Sequence, residues 1–175
     1  MTDLIILAML LPGPKHGYQL KHEAGIILGQ EVLHNNLVYP LLRRFMNNKW
    51  VTRKTVPGER GQTRQQYTLT ALGRKELLTQ LSCFTEQEAR SADGFRLRVG
   101  LFQKLPSEAR GRILDSRTAF LRSRSEKLTA VKTHFPLDHY AKEVTSLFLS
   151  ETQAELDWIE RMRKFERSRK DDSHD

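Results

Sequence analysis

The sequence predicts a mainly helical protein with one small β-hairpin, in which short helices come first and two long helices follow. Three observations predict this. Apolar residues recur at helical spacing through most of the chain. The period changes to strand-like alternation only between residues 50 and 70. Leu114, Leu121, Leu128 and Phe135 then recur every seven residues, and a second long apolar stripe follows them. The expected layout is a compact module over 1–82, a linker over 83–94, a helical domain over 95–167 and a charged tail without fixed structure over 168–175.

Each element has a local reason. Leu4–Leu11 is apolar on all sides, as suits a short buried helix, and Pro12-Gly13-Pro14 ends it. His16–Ala24 reads as a second helix, with Tyr18 and Gln19 near its start and Leu20 facing inward. Asn35 and Asn36 are N-cap candidates for a third, in which Leu37, Leu41 and Phe45 are expected on the buried face and Pro40 in the first turn. Trp50–Val56 and Gln65–Thr70 read as the two strands of a hairpin with a polar, basic tip. Thr70 is placed to cap a helix from Ala71 to about Leu81, with Leu72, Leu77 and Leu78 inward. Thr85 and Glu88 have the capping-box spacing, but that segment is polar and weakly periodic, hence the linker. Phe95–Leu105 stops at Pro106, and Ser107 is expected to cap the first long helix, which Pro136 ends. Asp138 opens the second, where Tyr140, Val144, Leu147, Phe148, Trp158, Ile159, Met162 and Phe165 keep a helical period.

Composition narrows the function. The 175 residues carry a formal net charge of +8, with a pI of about 9.8 and a mean hydropathy of −0.56. A basic balance of this size makes nucleic acid the leading partner class, ahead of an anionic membrane. Residues 1–80 hold 11 Lys/Arg against 5 Asp/Glu, whereas residues 81–175 hold 18 against 16, so the excess sits in the first half. It collects in residues 43–64, where Arg43, Arg44, Lys49, Arg53, Lys54, Arg60 and Arg64 face only Glu59. A single cysteine, Cys83, excludes an intrachain disulfide. The N-terminus shows no signal-peptide pattern, and the eight-residue run Leu4–Leu11 falls short of the ~20 residues needed to cross a bilayer. A soluble, cytoplasmic protein is expected.

Three short helices followed by a two-stranded hairpin make the plan of a winged helix-turn-helix module. A recognition helix offers its N-terminal residues to base edges, and side-chain amides there can form paired hydrogen bonds. Asn35 and Asn36 stand at that end of the third helix, and Tyr39, Arg43 and Arg44 lie along its polar side. A wing needs a cationic tip to lie beside phosphates or in a minor groove, which Arg60, Gln62 and Arg64 can supply. In the second half, two apolar stripes exceed what one hairpin of helices can bury. Leu114, Leu121, Leu128, Phe148, Trp158, Ile159 and Phe165 are therefore expected at a homodimer interface.

Three segments resemble the PadR family of transcriptional regulators: His16-Gly17-Tyr18-Gln19-Leu20, Leu37-Val38-Tyr39-Pro40-Leu41-Leu42-Arg43-Arg44, and Arg64-Gln65-Gln66-Tyr67-Thr68-Leu69-Thr70-Ala71-Leu72-Gly73. The match is close over residues 4–80 and looser in the two long helices. Two departures stand out: Asn35-Asn36 before the Tyr-Pro pair, and Phe45-Met46-Asn47-Asn48-Lys49-Trp50 where the family pattern has Leu-x-x-x-Gly. The resemblance implies a homodimer bound to an inverted-repeat operator, commonly as a repressor, and in some members a small aromatic effector. It also implies that Tyr18, beside Gln19, touches the DNA backbone, that Tyr39 and Arg43 face the groove, and that Arg64 approaches phosphate.

Other classes fit less well. The six histidines form no HxH or HExxH set, no glycine-rich phosphate loop follows a strand, and Cys83 has no paired base in sequence. Neither enzymatic activity nor a metal or cofactor is expected. The rival reading is a winged-helix adaptor that binds an acidic protein through the same charge.

Overall fold

The computed structural model describes residues 1–29, 31–58 and 62–171, and the chain divides into two units, Met1–Cys83 and Phe84–Asp175. The first contains α1 (Thr2–Met9), β1 (Lys15–His16), α2 (Gly17–Ile27), α3 (Asn35–Asn47), β2 (Val51–Pro57), β3 (Thr63–Leu69) and α4 (Ala71–Ser82). The second contains α5 (Glu86–Ala89), α6 (Ala92–Gly100), a 3₁₀ turn at Phe102–Lys104, α7 (Ser107–His134) and α8 (His139–Asp171). Mainly helical architecture with a small antiparallel sheet is what the sequence predicts. Among the described residues no helix is long and apolar enough to cross a membrane.

In the first unit α1 buries four consecutive residues, Leu4 to Leu7, which is possible because it is apolar all round. Leu20, Ala24, Leu33, Val38, Leu42, Phe45, Val51, Tyr67, Leu77 and Leu81 complete the core. The sheet has the order β1-β3-β2, all antiparallel, with Val51 opposite Leu69 and Pro57 opposite Thr63. Strand β1, pairing Lys15 with Tyr67 and His16 with Gln66, has no counterpart in the sequence-based expectation. Two residues are too few to show a period.

Four local expectations need correction. The buried stripe of α3 is Val38, Leu42 and Phe45, while Leu37 is exposed and Leu41 half-buried. At 100° per residue the spacing i, i+4, i+7 keeps a narrower face than i, i+4, i+8, and the narrower face is the buried one. Pro40 lies inside α3 rather than in its first turn. It is exposed, as is Asn36, whose carbonyl a non-proline residue 40 would bond in the helix. The N-cap of α3 is His34, leaving Asn35 and Asn36 within the first turn. Finally, Leu72 is exposed, and Leu77 and Leu81 are the fully buried leucines of α4.

The turn after α3 shows how the module is closed. Trp50 N–H donates to the Phe45 carbonyl at 2.8 Å and Lys49 N–H to the Met46 carbonyl at 2.9 Å, a Schellman pair of bonds. The geometry puts Lys49 at φ 59°, in the left-handed region that favours glycine, where the family pattern has one. The Phe45 and Trp50 rings, 5.8 Å apart, supply the apolar contact that accompanies such a turn. Thr70 then binds this corner: its hydroxyl donates to the Lys49 carbonyl at 2.7 Å, and its N–H donates to the Trp50 carbonyl at 2.9 Å. The same hydroxyl accepts from Gly73 N–H at 2.9 Å and so caps α4. A Cβ on Gly73 would stand 2.1 Å from the Trp50 oxygen, so glycine is required there.

The second unit is an antiparallel α7–α8 hairpin backed by α5 and α6. Arg117 is its hub and is almost wholly buried. Its Nε and Nη2 donate to the two Glu155 oxygens at 2.8 and 2.9 Å, and its Nη1 donates to the Ala89 carbonyl at 2.6 Å. The guanidinium lies over the Phe95 and Phe120 rings, and the Trp158 ring meets Phe95 edge-on. Arg110 with Glu166 at 3.1 Å, and Arg163 with Asp115 at 2.7 Å, tie the two long helices further.

The expected linker is therefore structured. Thr85 caps α5, with Glu88 accepting from Thr85 N–H at 3.0 Å and Thr85 Oγ1 accepting from Glu88 N–H at 3.2 Å. Ala89, Gly94 and Phe95 are buried in the second unit. Pro106, not Ser107, is the N-cap of α7, whereas Asp138 does accept from Ala141 N–H at the start of α8. Helix α8 continues to Asp171, into the segment expected as a tail, and residues 172–175 lie outside the described ones.

Three stability tests follow from these clasps. Gly73→Ala should lower unfolding free energy by about 1–3 kcal/mol or more, because the carbonyl it meets is backbone. Lys49→Gly should raise it by about 1 kcal/mol by relieving the left-handed lysine. Denaturant midpoints read both, and a neutral Gly73→Ala would show that α4 is not seated on Trp50. Glu155→Ala should cost about 3–5 kcal/mol, since it leaves Arg117 charged and buried without its carboxylate. An unchanged midpoint would mean the pair is open to water.

Candidate nucleic-acid interface

The core stripe of α3 fixes what its opposite face presents. With Val38, Leu42 and Phe45 inward, Asn36, Tyr39, Arg43 and Asn47 line the outward side, and all four are exposed. Because His34 holds the cap position, the Asn35 and Asn36 amides make no hydrogen bond among the described residues. Asn47, at the end of this row, is not among the residues that the sequence singles out. Its signal is the correct α3 register, which places it one turn beyond Arg43.

Helix α2 and strand β3 border the row. A Cβ on Gly17 would lie 3.2 Å from Tyr39 Cε1 and 3.5 Å from Tyr67 Cε2, so the glycine lets both rings lie close to the start of α2. A cleft of about 510 Å³ opens here, walled by His16, Tyr18, Tyr39, Arg64 and Tyr67. Tyr18 is 67% exposed, with its ring stacked 6.3 Å from His22. Gln19 plays a structural part, because its Oε1 accepts from His16 N–H at 2.9 Å and steadies the first turn of α2. Burial pushes the Tyr67 phenol above its ordinary value in spite of the neighbouring Arg53, so it is protonated at neutral pH.

The wing closes with Gly58 N–H donating to the Gln62 carbonyl at 2.7 Å. Gln62 and Arg64 are exposed beside it, and Arg53 and Lys54 add exposed cations on β2 that sequence reasoning counts but does not select. Arg60 lies outside the described residues. Arg44 does not share the outward row of α3, since its Nη2 donates to Asp3 Oδ2 at 2.8 Å.

A family profile, the transcriptional regulator PadR-like family, matches residues 6–79. Residues 6–79 are thus a PadR-like family domain. No curated protein matches the chain significantly. Among solved structures, a candidate transcriptional regulator from Thermoplasma acidophilum is 30% identical, over 43% of this chain and 72% of its own, with a TM-score of 0.41. The Bacillus subtilis PadR in complex with operator DNA is 18% identical, over 94% of this chain and 98% of its own, with a TM-score of 0.45. A PadR family regulator from Clostridium difficile is 19% identical, over 59% and 95%, with a TM-score of 0.39.

The residues expected at a dimer interface divide three ways in the PadR-like chain. Leu114, Leu121 and Ile159 are buried within their own unit, so no partner can reach them. Leu128 and Trp158 are half-buried, and Phe148 and Phe165 are exposed. Toward the α7–α8 turn the heptad stripe emerges: Phe135 is 62% exposed and Tyr140 81%, with Val131, Val144 and Leu147 exposed beside them.

Proposed function

We propose that this PadR-like chain is a cytoplasmic homodimeric repressor that reads an inverted-repeat operator with α3 and steadies it with the wing. The observation that carries the reading is the outward row of α3, where two unengaged amides, a half-exposed tyrosine and an arginine stand opposite a buried apolar face. Amides and guanidinium groups are the side chains that pair bidentately with adenine and guanine edges. Gln62, Arg64, Arg53 and Lys54 on the hairpin supply polar and cationic groups suited to phosphates, and Arg60 at its tip adds another in sequence. The exposed apolar residues near the α7–α8 turn, Phe135, Tyr140, Val144, Leu147 and Phe148, support the dimer, since a patch of large apolar side chains marks an association surface. A cavity of about 720 Å³ beside α7, lined by Phe120, Leu128 and Val131 together with Glu86, Arg90 and Lys127, suits a small aromatic effector.

Tyr39→Ala and Arg43→Ala should each weaken operator binding and leave the thermal midpoint unchanged. If Arg43 pairs with guanine, its loss costs about 1–3 kcal/mol and relaxes specificity at one position. Operators selected from a random duplex pool provide the measurement, and unchanged affinity in both variants removes α3 from the interface. Duplex affinity should also fall steeply with salt, whereas an adaptor for an acidic protein would bind no duplex even at low salt. Val144→Asp with Leu147→Asp should give a folded monomer that binds an inverted repeat no better than a half-site. Sedimentation of the unaltered protein as a monomer at micromolar concentration would end the dimer reading.

A further inference from the structure

We infer that Asp3 withholds Arg44 from nucleic acid and so limits the number of phosphates that α3 neutralises; this rests on the nucleic-acid reading above. Arg44 follows Arg43 by one residue and is 51% exposed by its side chain, so by sequence it belongs to the same basic edge. The structure separates them. Arg43 stands on the outward row, whereas the Arg44 guanidinium turns to α1, donates to Asp3 Oδ2 at 2.8 Å and lies 5.5 Å from the Phe45 ring centre. The other Asp3 oxygen lies 3.4 Å from the Met1 ammonium. Burial raises the Asp3 carboxyl, but its backbone hydrogen bond, the ammonium and Arg44 outweigh that and hold it below its ordinary value, so it is ionised at neutral pH.

The physical consequence concerns counterions. A cation adds to phosphate binding by releasing condensed ions from the duplex, and a guanidinium already neutralised by a carboxylate releases none until that pair breaks. The carboxylate would also stand beside any phosphate that Arg44 approached, and like charges repel. An exposed ion pair is weak enough for this to be a modest brake rather than a lock. Its effect falls on phosphate contacts, which carry no sequence information, and not on the base-facing row. Asp3 thereby acts as a specificity-determining residue that lowers sequence-independent adhesion.

The test uses the full chain and a random-sequence duplex, so that no operator need be known, with affinity measured by fluorescence anisotropy across a salt series. Asp3→Asn should steepen the slope of log K against log[salt] by about 0.9 and raise low-salt affinity about two- to fivefold. Both changes should vanish when Arg44→Ala is added, so that the double variant matches Arg44→Ala alone. Asp3→Ser run in parallel guards against a fold effect peculiar to asparagine, with helical circular dichroism as the check. A gain that persists without Arg44 would make the effect one of net charge and overturn the inference. No change in either Asp3 variant would overturn it as well, while leaving the nucleic-acid reading intact. Absence of salt-dependent duplex binding by the unaltered protein would overturn both.

Discussion

The corner formed by Lys49 and Trp50 is the constraint on which the first unit depends. Three elements meet at two backbone carbonyls: α3 ends there, β2 begins there, and α4 is seated there by Thr70 and Gly73. The carbonyls at a helix end need donors, and here the Thr70 hydroxyl and N–H provide them from the far end of β3. One short side chain thus closes the hairpin and caps the next helix at once. Gly73 is the complement of that economy, since only a residue without a Cβ lets α4 approach the Trp50 oxygen. With both ends of the hairpin fastened to the end of α3, the strands leave that helix in a fixed direction. The outward row of α3 and the hairpin are consequently parts of one rigid arrangement.

Much of this was legible in the chain. Alternation from Gln65 to Leu69, the turn residues after Pro57 and the Thr70 cap each have a period or a position that only one local structure satisfies. The Leu-Thr-x-x-Gly run carries its physical reason in the clasp on Trp50. What sequence reasoning misses depends on neighbours. Strand β1 exists because β3 offers it an edge, and two residues have no period of their own. The α3 register expected from sequence is one residue off because Leu37 and Val38 are both apolar, and the choice between them is made by what α2 and β2 leave room for. The left-handed Lys49 cannot be read from lysine, whose own preference opposes it. The turn bonds and the Trp50 ring impose it.

The second unit is harder to read for a related reason. A polar stretch from Thr85 to Ser91 looks like a linker by composition, but it is held by what lies far from it in sequence. Arg117 reaches Ala89 across 28 residues, and Glu155 reaches Arg117 across 38. No periodicity records such a pairing. The apolar stripe of α7 is a real stripe, yet assigning all of it to a partner overlooks how much α5, α6 and α8 cover. Leu114 and Leu121 lie under that cover, and Phe135 lies beyond its end.

Arginine itself shows why net charge locates an interface only coarsely. Arg117 is a buried fork: its planar donors meet two carboxylate oxygens in parallel and a carbonyl from a third nitrogen, a spread that the single nitrogen of a lysine does not reproduce. Arg98 is likewise buried, with its Nη1 donating to the Gly94 carbonyl and Phe84 beneath it. Arg110 and Arg163 clamp α7 to α8. These four cations hold the second unit together, where 18 positive residues are nearly balanced by 16 negative ones. The first unit has the smaller number of cations but fewer acids to balance them, 11 against 5, and Arg53 and Arg64 are exposed on its hairpin. Within it Asp3 removes one more, Arg44, while its neighbour Arg43 keeps its place on the outward row. The excess charge that matters to a polyanion is therefore the part left after the fold has used its own arginines, and Arg43 on α3 belongs to that part.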